Sequence, residues 1–126
     1  MITFDDFLKV EMKVGKVLSA EKLPNADKLL KLSVDFGTRE MEVGDLEAKK
    51  TVLSSESDVR QVISGIALAF PDSTVLVGKK FVFVVNLEPR KIKGFESQAM
   101  ILASGEGETF SLFSPTKDVS PGSSLR

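Results

Sequence analysis

The chain of 126 residues contains no cysteine, no histidine, no tryptophan and no tyrosine. Without cysteine there can be no disulfide, thiolate metal site or thiol nucleophile. Without histidine the commonest general base and the commonest nitrogen ligand are gone, which leaves carboxylates, lysines and hydroxyls as the only catalytic groups on offer. The expectation is a protein that is not an enzyme and has no catalytic residues, metal or cofactor. Long apolar runs are also missing, and Asp5 and Asp6 stand where a secretory leader would need basic residues and an apolar core. This points to a cytoplasmic protein without membrane contact. The glycines of Gly105-Glu106-Gly107-Glu108 read as a turn, because no Lys-Ser or Lys-Thr follows them as in a phosphate loop. Asp5 and Asp6 read as first-turn helix acids, and the acids between Glu40 and Asp58 do not have calcium-loop spacing.

What is present is an ordinary globular composition, 42% hydrophobic and 28% charged, in a chain long enough for one domain over 1–126. The formal net charge of -1 looks unsuited to a nucleic-acid partner, but the average hides a segregation. Between Glu40 and Asp58 six acids face only Lys49 and Lys50, a local charge of -4, so the rest of the chain carries +3. From Lys79 to Lys93, five cations (Lys79, Lys80, Arg90, Lys91, Lys93) stand against Glu88 alone. The polar, acidic stretch of about 38–58 reads as an inserted loop, mobile or forming an extended hairpin tip.

Thr3 with Asp6 three residues on predicts a helix start, and Phe4, Phe7 and Leu8 share one helical face, as in a short lid or plug. A strand is expected from Val10 to Ala20, with Gly15 marking a bulge or a sharp bend, and Pro24 to Asp27 is turn chemistry. Leu30, Leu32, Val34 and Phe36 alternate as a second strand ended by Gly37. Further strands are expected at Val59–Ile63, Phe81–Leu87, Gln98–Ala103 and Phe110–Phe113, with a helical turn within Pro71–Val77. The segment from Asp118 to Arg126 reads as an irregular strand or wrapping arm. Many short strands with glycine-rich junctions suit a small closed barrel.

Asn86 to Lys93 leaves an apolar strand with an amide and three cations. Arg90 can fork onto a phosphate, and Lys91 and Lys93 act as point charges. A solvated basic loop with Asn86 capping a turn is an equally good reading of these residues alone. Five ordered segments, NADKLLKL (Asn25 to Leu32), RQVISGIA (Arg60 to Ala67), VGKK (Val77 to Lys80), NLEPRKIKGFESQAM (Asn86 to Met100) and FSLFSP (Phe110 to Pro115), resemble the tRNA-binding domain family. That family includes the C-terminal domain of bacterial methionyl-tRNA synthetases and its free-standing counterpart.

The resemblance implies an all-β OB fold, a five-stranded Greek-key barrel with a short N-terminal helix and a C-terminal extension. It implies non-catalytic tRNA binding by shape and charge, free-standing or as an auxiliary to methionyl-tRNA synthetase, with tRNA and a synthetase as partners. It also implies a homodimer whose C-terminal part builds the interface. Carried over, Asn25 and Lys28 line one rim of the groove, Ser64 its floor, and Asn86, Arg90 and Lys91 the other rim, with Lys93 a further tRNA-binding residue. Ser97 and Met100 lie beside the bound RNA, and Ala99 replaces a family glycine, bringing one methyl to the closest approach. Phe95 is the one obvious stacking residue, with a loop anchor the favoured reading. One branch of the family resembles a secretion chaperone that binds unfolded polypeptide, which is the alternative function.

Overall fold

In the computed structural model of the chain, residues 1–45 and 50–126 are described, with side chains described outside 39–56. Apolar side chains at every second position put Leu30, Leu32, Val34 and Phe36 on one face, and all four are buried. They belong to β2 (Ala26–Asp45), which pairs antiparallel with β1 (Met12–Leu23) and with β3 (Lys50–Ser64). The β1–β2 turn is possible because Asn25 takes a left-handed conformation, φ 59°, which asparagine tolerates better than most residues. After a 3-10 turn at Ser73–Leu76, capped by the Asp72 carboxylate, β4 (Lys80–Val84) returns to the free side of β1.

The sheet then continues to β7 (Met100–Ile101), giving the order β3-β2-β1-β4-β7. A meander whose fourth strand lies beside its first is a Greek key. The expected all-β class, barrel-type sheet and short N-terminal helix are what the chain forms. Two small ladders complete it, β5 (Arg90–Ile92) with β6 (Phe95–Ser97) and β8 (Ala103–Ser104) with β9 (Ser111–Leu112).

The sheet curls until β3 meets the segment between β6 and β7, where side chains do most of the bonding. Gln98 N donates to Gln61 O at 2.8 Å, and Gln61 N donates to the Gln98 side-chain carbonyl at 2.9 Å. Ile63 N donates to Ser97 Oγ at 3.0 Å. Arg60, paired with Asp58 at 3.0 Å, reaches across to Val85 O at 2.6 Å and Gln98 O at 3.3 Å. Its guanidinium lies 5.5 Å from the centre of the Phe36 ring. Inside, Phe36 meets Phe83 edge-on, ring centres 5.2 Å apart, in a core with Val17, Leu30, Leu32, Val62, Leu76 and Ile101.

Several local expectations change. Gly15 is not the bulge; the β1–β2 register slips at Val17/Ser19 instead. A Cβ on Gly15 would lie 2.5 Å from Val34 and 2.7 Å from Phe36, so the position is glycine to admit those side chains. Gly37 does not end β2. With φ 82° it sits in a register shift between Asp35 and Thr38, after which the strands stay paired from Thr38 with Ser57 to Asp45 with Lys50. Of the two readings of the acidic stretch, this backbone is an extended hairpin; residues 46–49 and the side chains of Glu40 to Glu56 lie outside the described residues.

The N-terminal helix is one turn, Phe4–Phe7, with the expected Thr3 and Asp6 capping box. The amide of Thr3 and the Lys9 ammonium hold the Asp6 carboxyl below its usual range. It is neither lid nor plug: four residues are too few to lay a face on the barrel, and Phe4 is 71% exposed. The C-terminal segment does wrap. Val14 N donates to Ser123 O, Gly122 N to Val14 O and Leu125 N to Met12 O, so it lines the half of β1 that β2 leaves open. Lys80 ties it down through Asp118 at 2.6 Å, which holds that carboxyl below the usual range.

Candidate nucleic-acid interface

Within the stretch from Asn86 to Ser97, residues Arg90–Ser97 fold as a hairpin where a basic loop was one of the readings. Arg90 faces Ser97, Lys91 faces Glu96 and Ile92 faces Phe95, with Lys93 and Gly94 both at positive φ as a two-residue mirror-image turn requires. Ile92 and Phe95 anchor it. They pack with Leu23, Ala26, Leu29 and Ile63 in a second apolar cluster. Adjacent strand residues point to opposite faces, so Val62 and Leu30 fill the barrel while Ile63 and Leu29 meet this cluster outside it. Phe95 is therefore the loop anchor; Lys31 covers its ring at 5.4 Å while pairing with Glu21 at 3.3 Å.

The consequence is geometric. The β1–β2 turn with the start of β2, which carry Asn25 and Lys28, and the hairpin, which carries Arg90, Lys91 and Lys93, are packed on one shared cluster. All four cations are exposed, and none is ion-paired with a described residue. Where hairpin, β3 and β7 meet, a pocket of about 100 Å³ is lined by ten residues, Ser64, Arg90, Ser97 and Met100 among them. Ile63, Leu87, Ile92, Ala99 and Ile101 make its surface mainly apolar, with Glu88 beside Arg90.

The structure thus brings four of the nine sequence-derived residues into one pocket, with Asn25, Lys28, Asn86, Lys91 and Lys93 outside it. Ser97 and Asn86 also make internal hydrogen bonds, Ser97 as a buried residue and Asn86 as an exposed one. Ser97 is buried, and its hydroxyl is spent on Ile63 N and Ala99 O in the barrel seam. Asn86 accepts from Glu11 N at 2.9 Å and donates to Lys9 O at 2.7 Å, which fastens the N-terminal segment to the end of β4. Both position the site's frame. Ala99 is buried in the pocket floor, where its methyl belongs to the main core. Sequence reasoning missed Leu87 and Ile92 as walls and counted Glu88 only as a reduction of the basic charge. The Lys93-Gly94 pair, flanked by Ile92 and Phe95, was the available hairpin signal.

The family model described as "Putative tRNA binding domain" matches residues 12–124. A methionine–tRNA ligase of Methanoregula boonei is 44% identical over 126 residues, all of this chain but 16% of that protein. The chain therefore spans about one-sixth of the length of that curated relative. A methionyl-tRNA synthetase related protein of Pyrococcus horikoshii is 36% identical with a TM-score of 0.77, covering 100% of this chain and 98% of the other. The CsaA chaperone protein of Picrophilus torridus is 25% identical with a TM-score of 0.75 and complete coverage of both chains. With 113 consecutive residues matched by one model and relatives well above 30% identity, the chain belongs to the tRNA binding domain family.

Proposed function

We propose that this chain is a module that binds tRNA by shape and charge through an OB-type groove and performs no chemistry, either free-standing or as an auxiliary to methionyl-tRNA synthetase. The observation that carries the reading is the convergence of Lys28, Arg90, Lys91 and Lys93, exposed and without ion-pair partners among the described residues, on two elements packed about one apolar cluster. Unpaired cations held on a rigid support suit a polyanion, whose bound counterions they displace on contact. Asn25 and Ser64 add neutral donors beside them, and Met100, 47% exposed, adds an apolar surface. The relatives of both kinds, synthetase and synthetase-related, support the same partner.

The test is fluorescence anisotropy of labelled tRNA across a salt series, with an unfolded peptide titrated in parallel. A logarithmic salt slope of several units for tRNA, and weak binding of the peptide, is the expected result. The chaperone-like alternative is favoured by one observation, the apolar lining of the pocket with Leu87 51% exposed at its wall. Tight, salt-insensitive peptide binding with no tRNA affinity would decide for it.

A homodimer belongs to the same reading. Phe4, Phe7, Leu8 and Val10 are exposed side by side and border, with Leu125, a depression of about 410 Å³. A second copy covering this patch would remove apolar surface that a monomer rarely leaves open. Light scattering is expected to report twice the 13.7 kDa chain mass; a monomer mass throughout the micromolar range would remove the dimer.

A further inference from the structure

The pocket beside the cations carries a feature that phosphate binding does not explain. Glu88 is the one acid of the basic segment, it is exposed, and it lines the pocket together with Arg90. Among the described residues it has no hydrogen-bond or ion-pair partner. A carboxylate at that place repels a phosphate backbone, so it works against a purely electrostatic grip. The pocket's walls are also wrong for phosphate: Leu87 and Met100 stand half-exposed over a floor of Ile63, Ala99 and Ile101. The buried Ser97 hydroxyl is already satisfied, which leaves Glu88, Arg90 and Ser64 as the polar groups that can orient a ligand.

A flat, apolar-faced ligand with polar edges fits this set. Nucleobases have that character, and RNA proteins read bases from unpaired segments whose edges are free. With no Tyr or Trp in the chain and Phe95 consumed as an anchor, the ring faces must lie on aliphatic and thioether surface, for which methionine is suited. The two carboxylate oxygens accept in a bidentate manner from two adjacent donors. Guanine alone among the four bases presents such a pair, N1–H and the N2 amino group. Arg90, a donor only, then faces the O6 acceptor or the adjoining phosphate.

We propose that this pocket is a base-reading subsite that receives one unpaired guanine, held between Leu87 and Met100 and selected by Glu88. The proposal rests on the RNA-binding reading above and adds to it a component of sequence preference that shape and charge do not supply.

The experiment is a nuclear magnetic resonance titration of the isotope-labelled chain with GMP, IMP, AMP, CMP and UMP, together with a tRNA titration under the same conditions. IMP keeps the guanine ring, O6 and N1–H but lacks the N2 amino group. The expected result is that GMP shifts the resonances of Leu87, Glu88, Ile92 and Met100, with an affinity about tenfold above IMP and the other nucleotides. Glu88→Gln, a substitution at an exposed position whose fold the same spectra verify, is expected to narrow the GMP to IMP ratio to about threefold or less. Equal binding of all five nucleotides, or no response of these residues to GMP while tRNA binds, overturns the guanine subsite and leaves the RNA reading standing. A GMP response at the pocket without tRNA binding overturns the RNA reading and, with it, the base-reading role, leaving a site for a free guanine nucleotide. No response to either ligand overturns both.

Discussion

Replacing Phe83 with alanine is expected to lower the unfolding free energy by about 3–5 kcal/mol, the largest stability effect of any single truncation among the described residues. Phe83 is fully buried on β4, paired to Lys13 of β1 on one side and to Ile101 of β7 on the other. Its ring meets Phe36 edge-on and also approaches the space over Gly15, where an added Cβ would come within 3.0 Å of it. Removing the ring therefore opens a cavity at the junction of three strands, and backbone pairing on both sides keeps the walls from collapsing into it. A domain of this size has about 5–15 kcal/mol in all, so the variant retains a small margin or none. Urea unfolding followed by circular dichroism measures the difference. Phe83→Leu, which keeps most of the volume, should recover more than half of the loss. A Phe83→Ala change below about 1 kcal/mol would mean that the sheet does not close over this ring. Gly15→Ala probes the same junction from the opposite sign of volume, and overpacking there is expected to cost about 1–3 kcal/mol.

This junction also marks where the sequence could be read and where it could not. The alternation of Leu30, Leu32, Val34 and Phe36 states its own answer, because one strand face must be apolar whatever it packs against. Glycines are different. Gly15 and Gly37 look alike in sequence, as interruptions of apolar strands, yet one admits neighbouring side chains and the other places a bend beside Pro121 and Gly122, more than eighty residues away. Nothing local encodes that partner. The N-terminal helix shows the reverse failure, since its capping box is purely local and is found as expected, while the fate of its apolar face depends on contacts that a four-residue helix does not make.

The candidate site divides in the same way. Residue chemistry alone pointed to Arg90, Lys91 and Lys93 as cations after an apolar strand. Only the family resemblance suggested Asn25, Lys28, Ser64 and Met100, because their meeting depends on β3, the β1–β2 turn and the hairpin sharing the cluster around Ile63 and Phe95. Asn86 and Ser97 were legible as polar residues in the right region but not as bonded ones, since their partners lie 75 and 34 residues away along the chain. The pocket walls went unnoticed for a related reason: Leu87 and Ile92 flank a proline and two cations, and a mixed stretch of that kind does not declare which side chains will line a surface.

The largest functional effect is expected from removing the hairpin's cations together. Arg90, Lys91 and Lys93 are exposed, unpaired with any described residue and carried on a hairpin that Ile92 and Phe95 hold in place without them. The triple variant Arg90→Ala, Lys91→Ala, Lys93→Ala should therefore fold normally, with stability within about 0.5 kcal/mol per site. Its tRNA affinity should fall by about a hundredfold at low salt, at roughly 1 kcal/mol for each exposed charge-assisted hydrogen bond to phosphate. The magnitude of the logarithmic salt slope should drop by about two to three, close to one for each phosphate no longer neutralised. The two effects are linked, because counterion release is greatest in dilute salt, so the variant and the unmodified protein should converge as salt is raised. Lys79 and Lys117 provide the control. They line a separate depression with Gly78, Ser114 and Thr116, and replacing both with alanine removes comparable charge from another part of the surface. If tRNA binding responds to net charge alone, the control pair costs about as much per lysine as the triple variant. If the hairpin and the β1–β2 turn form the groove, the control leaves the slope within about half a unit of its starting value while the triple variant does not. Equal reductions per charge from both variants would take the binding surface away from the hairpin and spread it over the whole protein.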